Sequence, residues 1–246
     1  MTTITCSAWT IHSQELESLL IRHPDHVRHL VRMQLEEEIA HLVPQDRKSL
    51  EAARQHWLQD RALESALQAV QWTEDDLWLH LHRPGALQQF ARQRFGPGLE
   101  DRFLAKQGAM DQIVYSIVRT RDAALTRELW IRLEEGETSF AEAASQYSQG
   151  SEAARKGVMG PLPVGSLQPP ELAQFLRAMA PGDISAPTQL GEWHLLLRLE
   201  QLTPARFDQG TRSVLLQEQL DAFLTDRVNR RLMGEDLEPL HFHVDG

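Results

Sequence analysis

Between Ile113 and Leu202 the apolar pattern changes its period several times, and that order limits the fold more than any other feature of the chain. Ile113-Val114-Tyr115-Ser116-Ile117-Val118 is β-branched and aromatic, which predicts a strand. Asp122 stands as an N-cap before Leu125, Leu129 and Leu133, and Gly136 ends that helix. Ser139-Phe140-Ala141-Glu142 spells a capping box, in which serine and glutamate satisfy each other's free backbone N–H groups. Phe140, Ala143, Ala144 and Tyr147 then share one helical face. Gly157, Gly160, Pro161 and Pro163 make a turn-rich crossing with room for a short strand. Pro170 suits the first turn of a helix. In that helix Leu172, Phe175, Leu176 and Met179 recur at i, i+3, i+4 and i+7. Two strands follow the Pro181-Gly182-Asp183 turn. In the last of them Trp193, Leu195, Leu197 and Leu199 alternate with His194, Leu196 and Arg198, which occupy the other face. The order β-α-α-β-α-β-β implies an α+β domain, a sheet with its own covering helices.

The N-terminal half has a different pattern, with helical stripes and no segment that alternates like a strand. Val27, Leu30, Val31, Leu35, Ile39 and Leu42 form one stripe, closed by Pro44. Ala62, Leu63, Ala66, Leu67 and Val70 form another. Thr73 caps a helix whose first turn carries Glu74, Asp75 and Asp76, where the helix dipole favours acids. Leu77, Trp78 and Leu81 follow, and Pro84-Gly85 is expected to break the run before a short helix with Leu87, Phe90 and Ala91. At the other end of the chain, Val214, Leu215, Leu220, Phe223, Leu224, Val228 and Leu232 mark a long amphipathic helix from roughly Phe207 to Leu232. Its apolar face needs a partner, and the sheet-free N-terminal half is the expected one. Residues after Glu235 are expected to form a loose tail. The expected organisation is residues 1–108 as a helical domain, 109–203 as the α+β domain, and 204–246 as a helix returning to the first domain.

Charge and composition narrow the function classes. The formal net charge is −10, which disfavours nucleic-acid binding, since phosphate contacts need a basic face. The single cysteine, Cys6, allows no internal disulfide and no cysteine-based zinc site. His23, His26 and His29 are better read as a solvated helix face than as metal ligands, because Pro24 spoils the placement of His23. No stretch approaches the ~18 apolar residues of a membrane span. The start of the sequence has no basic n-region followed by an apolar run. A cytoplasmic location is the expectation.

Short motifs in the α+β segment resemble those of the parvulin, or PpiC-type, peptidyl-prolyl cis-trans isomerases. Ser139 to Ala144 with Tyr147-Ser148 resembles the family's FxELAxxYS helix. Gly157-Val158-Met159-Gly160 resembles its GGxLG turn. Leu167-Gln168-Pro169-Pro170-Glu171-Leu172 resembles LPPEF. Ala180 to Pro187 resembles KPGEVSxPV, and Gly191 to His194 resembles the terminal GYH or GWH. Each fragment alone is weak, but all of them occur in the family's order. A helical N-terminal region before such a domain, with a closing helix after it, resembles the foldases SurA, PrsA and NifM.

The resemblance implies an activity, and the departures from it bear on mechanism. Rotation about the X-Pro bond has to overcome amide resonance, a barrier of about 18–20 kcal/mol. A protein lowers that barrier by binding the twisted bond better than either planar form, with no nucleophile, metal or cofactor. The resemblance implies an apolar proline pocket built from Leu167, Leu172, Phe175 and Met179. It implies catalytic polar contacts from His194 in the last strand and from Tyr115, which stands near the family's first-strand histidine. The family's Cys or Asp after the YS pair aligns with Gly150. The implied partners are unfolded or proline-containing polypeptide clients. Three readings stay open: an isomerase and foldase, a non-catalytic holdase or maturation and export adaptor that keeps only the binding surface, or a purely structural subunit that buries the domain in a complex.

Overall fold

The structure is a computed structural model that describes residues 3–6 and 9–243. It divides into two compact units, Met1–Leu99 with Arg212–Gly246, and Glu100–Thr211.

The first unit contains a two-stranded antiparallel sheet, β1 (Thr3–Cys6) and β2 (Trp9–His12). This departs from the strand-free expectation for the N-terminal half. The strands are short, and Thr-Ile-Thr and Trp-Thr-Ile are compositions that favour extended backbone. Helices follow: α1 (Ser13–Arg22), α2 (Pro24–Leu42), α3 (Arg47–Leu58), α4 (Leu63–Val70) and α5 (Glu74–Phe95). Thr73 and Asp76 complete a reciprocal capping box at the start of α5.

The expected break at Pro84 does not occur, and α5 runs through it. Proline removes one N–H from the helix ladder, a local loss. Burial on both sides outweighs it, since Leu77, Trp78 and His82 precede Pro84 in the core and Ala86, Phe90 and Ala91 follow it. His82 adds a ring-nitrogen contact of 3.0 Å to the Val43 carbonyl.

After α6 (Leu99–Met110) comes the second unit's sheet: β3 (Gln112–Thr120), then α7 (Ala123–Glu134), α8 (Phe140–Tyr147), β4 (Val158–Pro163), α9 (Pro170–Arg177), β5 (Thr188–Leu190) and β6 (Trp193–Thr203). The β-α-α-β-α-β-β order agrees with the sequence. The sheet order is β4-β3-β6-β5 and every neighbouring pair is antiparallel. The two sheet faces have separate cores. On one, Ile113, Tyr115, Ile117, Leu195, Leu197 and Leu199 pack with Leu167, Leu172 and Leu176. On the other, Val118 and Leu196 pack against Leu129, Leu133, Phe140 and Ala144 of α7 and α8. Asp122 caps α7 by accepting from Ala124 and Leu125, and Ser139 and Glu142 form the expected capping box on α8.

The entry to β4 and the strand itself require glycine at close quarters to β3. Gly157 and Gly160 have φ of +83° and +102°, and a Cβ at Gly160 would lie 2.4 Å from the Ile113 carbonyl oxygen. Any side chain there would force β4 off the sheet.

The last helix, α10 (Gln209–Leu232), returns to the first unit. Leu220, Leu224 and Val228 are buried with Leu35, Ile39 and Ala40 of α2 and Ala86, Phe90 and Ala91 of α5. This is the packing expected from its stripe. The segment after it is not the loose tail expected. Leu240 and Phe242 pack on the same core, Arg227 donates to the Glu238 carbonyl at 2.7 Å, and His243 N–H donates to the Gln93 side chain at 3.0 Å. Leu240 and Phe242 lie in too short a stretch to show a period, which hid their role.

Candidate functional site

A cleft of about 480 Å³ opens over the sheet face that carries Tyr115 and Ile117. Gln168, Pro169 and Leu172, at the start of α9, form one wall. Leu190, Trp193 and Leu195 of the β5–β6 hairpin form the other. Ile117 and Arg119 of β3 complete the lining with Glu171 and Glu192. Leu190 pairs directly with Trp193, and Gly191 takes the first place of the two-residue turn between them with φ of +63°.

Strand alternation decides which polar groups reach this face. Tyr115, Ile117 and Arg119 share it on β3, as Trp193 and Leu195 do on β6. Arg119 pairs in register with Leu195. Its guanidinium donates from Nε to one oxygen of Glu152 at 2.9 Å and from Nη2 to the other at 2.7 Å. The guanidinium carbon also stands 5.6 Å from the centre of the Trp193 ring. Arg121 lies 4.9 Å from that ring and makes an exposed ion pair with Glu192.

Glu152 is buried at 2% exposure, next to Gly150. Ser148 Oγ donates to its carboxylate at 2.5 Å and accepts from the Arg119 backbone N–H at 3.1 Å. Gln149 N–H donates to the Arg119 carbonyl at 2.9 Å. Burial alone would raise the Glu152 carboxyl. Hydrogen bonds from Ser148 and from its own backbone N–H, together with the Arg119 guanidinium, outweigh burial and hold it below its usual range. Burial pushes the Tyr115 phenol up, and nearby Arg119 pulls it the other way.

The residues expected to form the site do not all converge. Leu167 and Leu172, each 4% exposed, lie in the core on the cleft side with Tyr115, and Met179 packs against them. Of these, only Leu172 lines the cleft itself. Phe175 is 40% exposed and does not line it. His194 pairs in register with Thr120 and Gln189, and alternation puts it on the opposite face with Leu196 and Arg198. That face carries its own polar set, in which Arg198 bonds Glu200 at 2.8 Å and stands 5.1 Å from the Phe140 ring.

Sequence reading missed Arg119 and Glu152. One signal was present: Arg119 continues the alternation of Tyr115 and Ile117. Glu152 has no comparable signal, because its position depends on the path of the chain after α8.

Residues 118–200 match the family model described as Rotamase, PPIC-type PPIASE domain. This part of the chain is a PpiC-type parvulin domain. Among solved structures, the peptidylprolyl isomerase PrsA from Bacillus anthracis is 17% identical, with 85% of this chain and 99% of that chain covered and a TM-score of 0.47. PrsA from Bacillus cereus is 15% identical, with 96% and 92% covered and a TM-score of 0.49. A structure described with PEB4 and Cj1289, SurA-like chaperones of Campylobacter jejuni, is 13% identical, with 96% and 99% covered and a TM-score of 0.37. No curated protein matches the chain. Among the described residues, no helix is long and apolar enough to cross a membrane, and no cluster of His, Cys, Asp or Glu could hold a metal ion.

Proposed function

We propose that this protein is a peptidyl-prolyl cis-trans isomerase that takes proline-containing segments of unfolded clients into the cleft between α9 and the β5–β6 hairpin. The observation that carries this reading is the cleft's composition. Leu172, Pro169, Leu190, Trp193 and Leu195 offer apolar surface to a proline ring, beside a single ordered guanidinium, inside the segment that matches the rotamase family model. An apolar wall fixes the ring and leaves the preceding carbonyl free to turn. Binding energy at the ring then offsets part of the resonance lost in the twisted bond.

The second reading, a client-binding module without catalysis, also has an observation in its favour. His194 lies on the far face of the sheet, and Gly150 places no side chain at the position where the family's Cys or Asp is aligned. A protease-coupled assay on a panel of X-Pro peptides separates the two. The isomerase reading expects a rate above the uncatalysed one for at least one peptide. Peptide binding with no rate increase for any peptide would establish the second reading in its place.

A further inference from the structure

Gly150 stands where the family resemblance implies a Cys or Asp, and the space beside it is occupied. A Cβ built there would lie 2.1 Å from Nε and Nη2 of Arg119 and 2.1 Å from a Glu152 carboxylate oxygen. No side chain fits at that position while the ion pair stands. The Arg119–Glu152 pair therefore fills the volume that a residue at 150 would use, and it brings a donor to the cleft lining.

The pair is built to hold one orientation. Both carboxylate oxygens of Glu152 accept from the same edge of the guanidinium, which fixes its plane. Ser148 ties the carboxylate to the Arg119 backbone, and the Trp193 ring stands beside the guanidinium. Among the described residues, Arg119 Nη1 has no hydrogen-bond partner, while Nε and Nη2 are engaged.

Resting on the isomerase reading, we propose that Arg119 is a catalytic residue whose Nη1–H donates to the proline nitrogen as the X-Pro bond twists. In a planar imide the nitrogen lone pair is delocalised into the carbonyl and accepts no hydrogen bond. As the bond twists, resonance is lost and the lone pair localises on nitrogen. A donor placed there binds the transition state and neither planar ground state, which is the condition for raising kcat. No bond other than the hydrogen bond forms or breaks, and the proton stays on arginine. Glu152 is the positioning residue that holds the donor, in place of a side chain at Gly150.

The test uses the full chain and a leucyl-prolyl tetrapeptide, with kcat from exchange NMR and peptide affinity from titration. Arg119→Gln is expected to lower kcat by at least about tenfold, the lower side of what one preorganised donor contributes. Peptide affinity should change by less than about threefold, because the donor does not act on the ground state. Arg119→Lys should recover part of the loss, and Glu152→Gln should lower kcat while leaving Arg119 in place. If Arg119→Gln leaves Glu152 buried and unpaired and the variant does not fold, Arg119→Gln with Glu152→Gln answers the same question with a neutral pair. A folded variant with unchanged kcat overturns the proposal and leaves the isomerase reading intact. So does a loss accounted for entirely by weaker binding. A wild-type protein that binds X-Pro peptides and accelerates none of the panel overturns both.

Discussion

Arg119 and Glu152 form a two-point ion pair, at 2.9 and 2.7 Å, in the space that any side chain at Gly150 would need. Gly150→Ala should destabilise the protein by about 1–3 kcal/mol, since displacing a buried, hydrogen-bonded ion pair leaves charge poorly compensated, and partial exposure of Arg119 moderates the loss. Urea unfolding monitored by tryptophan fluorescence measures it. A midpoint equal to that of wild type would mean that the pair moves aside freely and is not a fixed part of the cleft.

The Glu152 carboxyl lies below its usual value of 4.5 in the folded protein. A depressed carboxyl stabilises the fold fully above its unfolded pKa and loses that contribution as pH falls through the folded value. Thermal stability should therefore drop as pH is lowered below the usual carboxylate range, and Glu152→Gln should remove this part of the slope. Parallel melting curves for the two proteins across the acid range would contradict it.

Leu172 and His194 should respond in opposite ways. Leu172 is buried and lines the cleft, so Leu172→Ala should cost about 2–5 kcal/mol of stability and weaken peptide binding. His194 sits on the other face of the sheet, so His194→Ala should change the isomerisation rate by less than about twofold, well under the loss from removing a transition-state donor. Urea unfolding and peptide titration check Leu172→Ala, and the isomerisation rate of the folded variant checks His194→Ala. A tenfold loss in His194→Ala would restore the catalytic role that the terminal motif implies.

Leu224 of α10 is fully buried against α2 and α5. Leu224→Ala should remove about 2–5 kcal/mol. Hydrogen exchange should then quicken in the paired stretches of α2 and α5, around Ile39 and Phe90. Unchanged protection there would mean that α10 contributes little to this core.

How much of this could be read in advance depended on whether the signal was local. Capping boxes such as Ser139 with Glu142, the proline at the start of α9 and the alternation of β6 are local, and the elements follow from them. The stripe of α10 likewise announced its need for a partner surface. Pro84 misled because propensity describes a helix alone, whereas Ala86, Phe90 and Ala91 hold α5 together through tertiary burial. The candidate site was harder. Motif resemblance grouped His194 with Leu172, but the pleat separates them onto opposite faces. The Arg119–Glu152 contact joins β3 to the segment after α8, and no period in the sequence encodes it.

Leu172 lines the cleft to which X-Pro turnover is assigned. Exchange NMR on the panel of X-Pro peptides, with wild type and with Leu172→Arg, measures that turnover. Faster cis-trans exchange is expected with wild type for at least one peptide, and only the uncatalysed rate with the folded Leu172→Arg variant. No acceleration by wild type, or equal acceleration by the cleft-filled variant, would contradict the assignment.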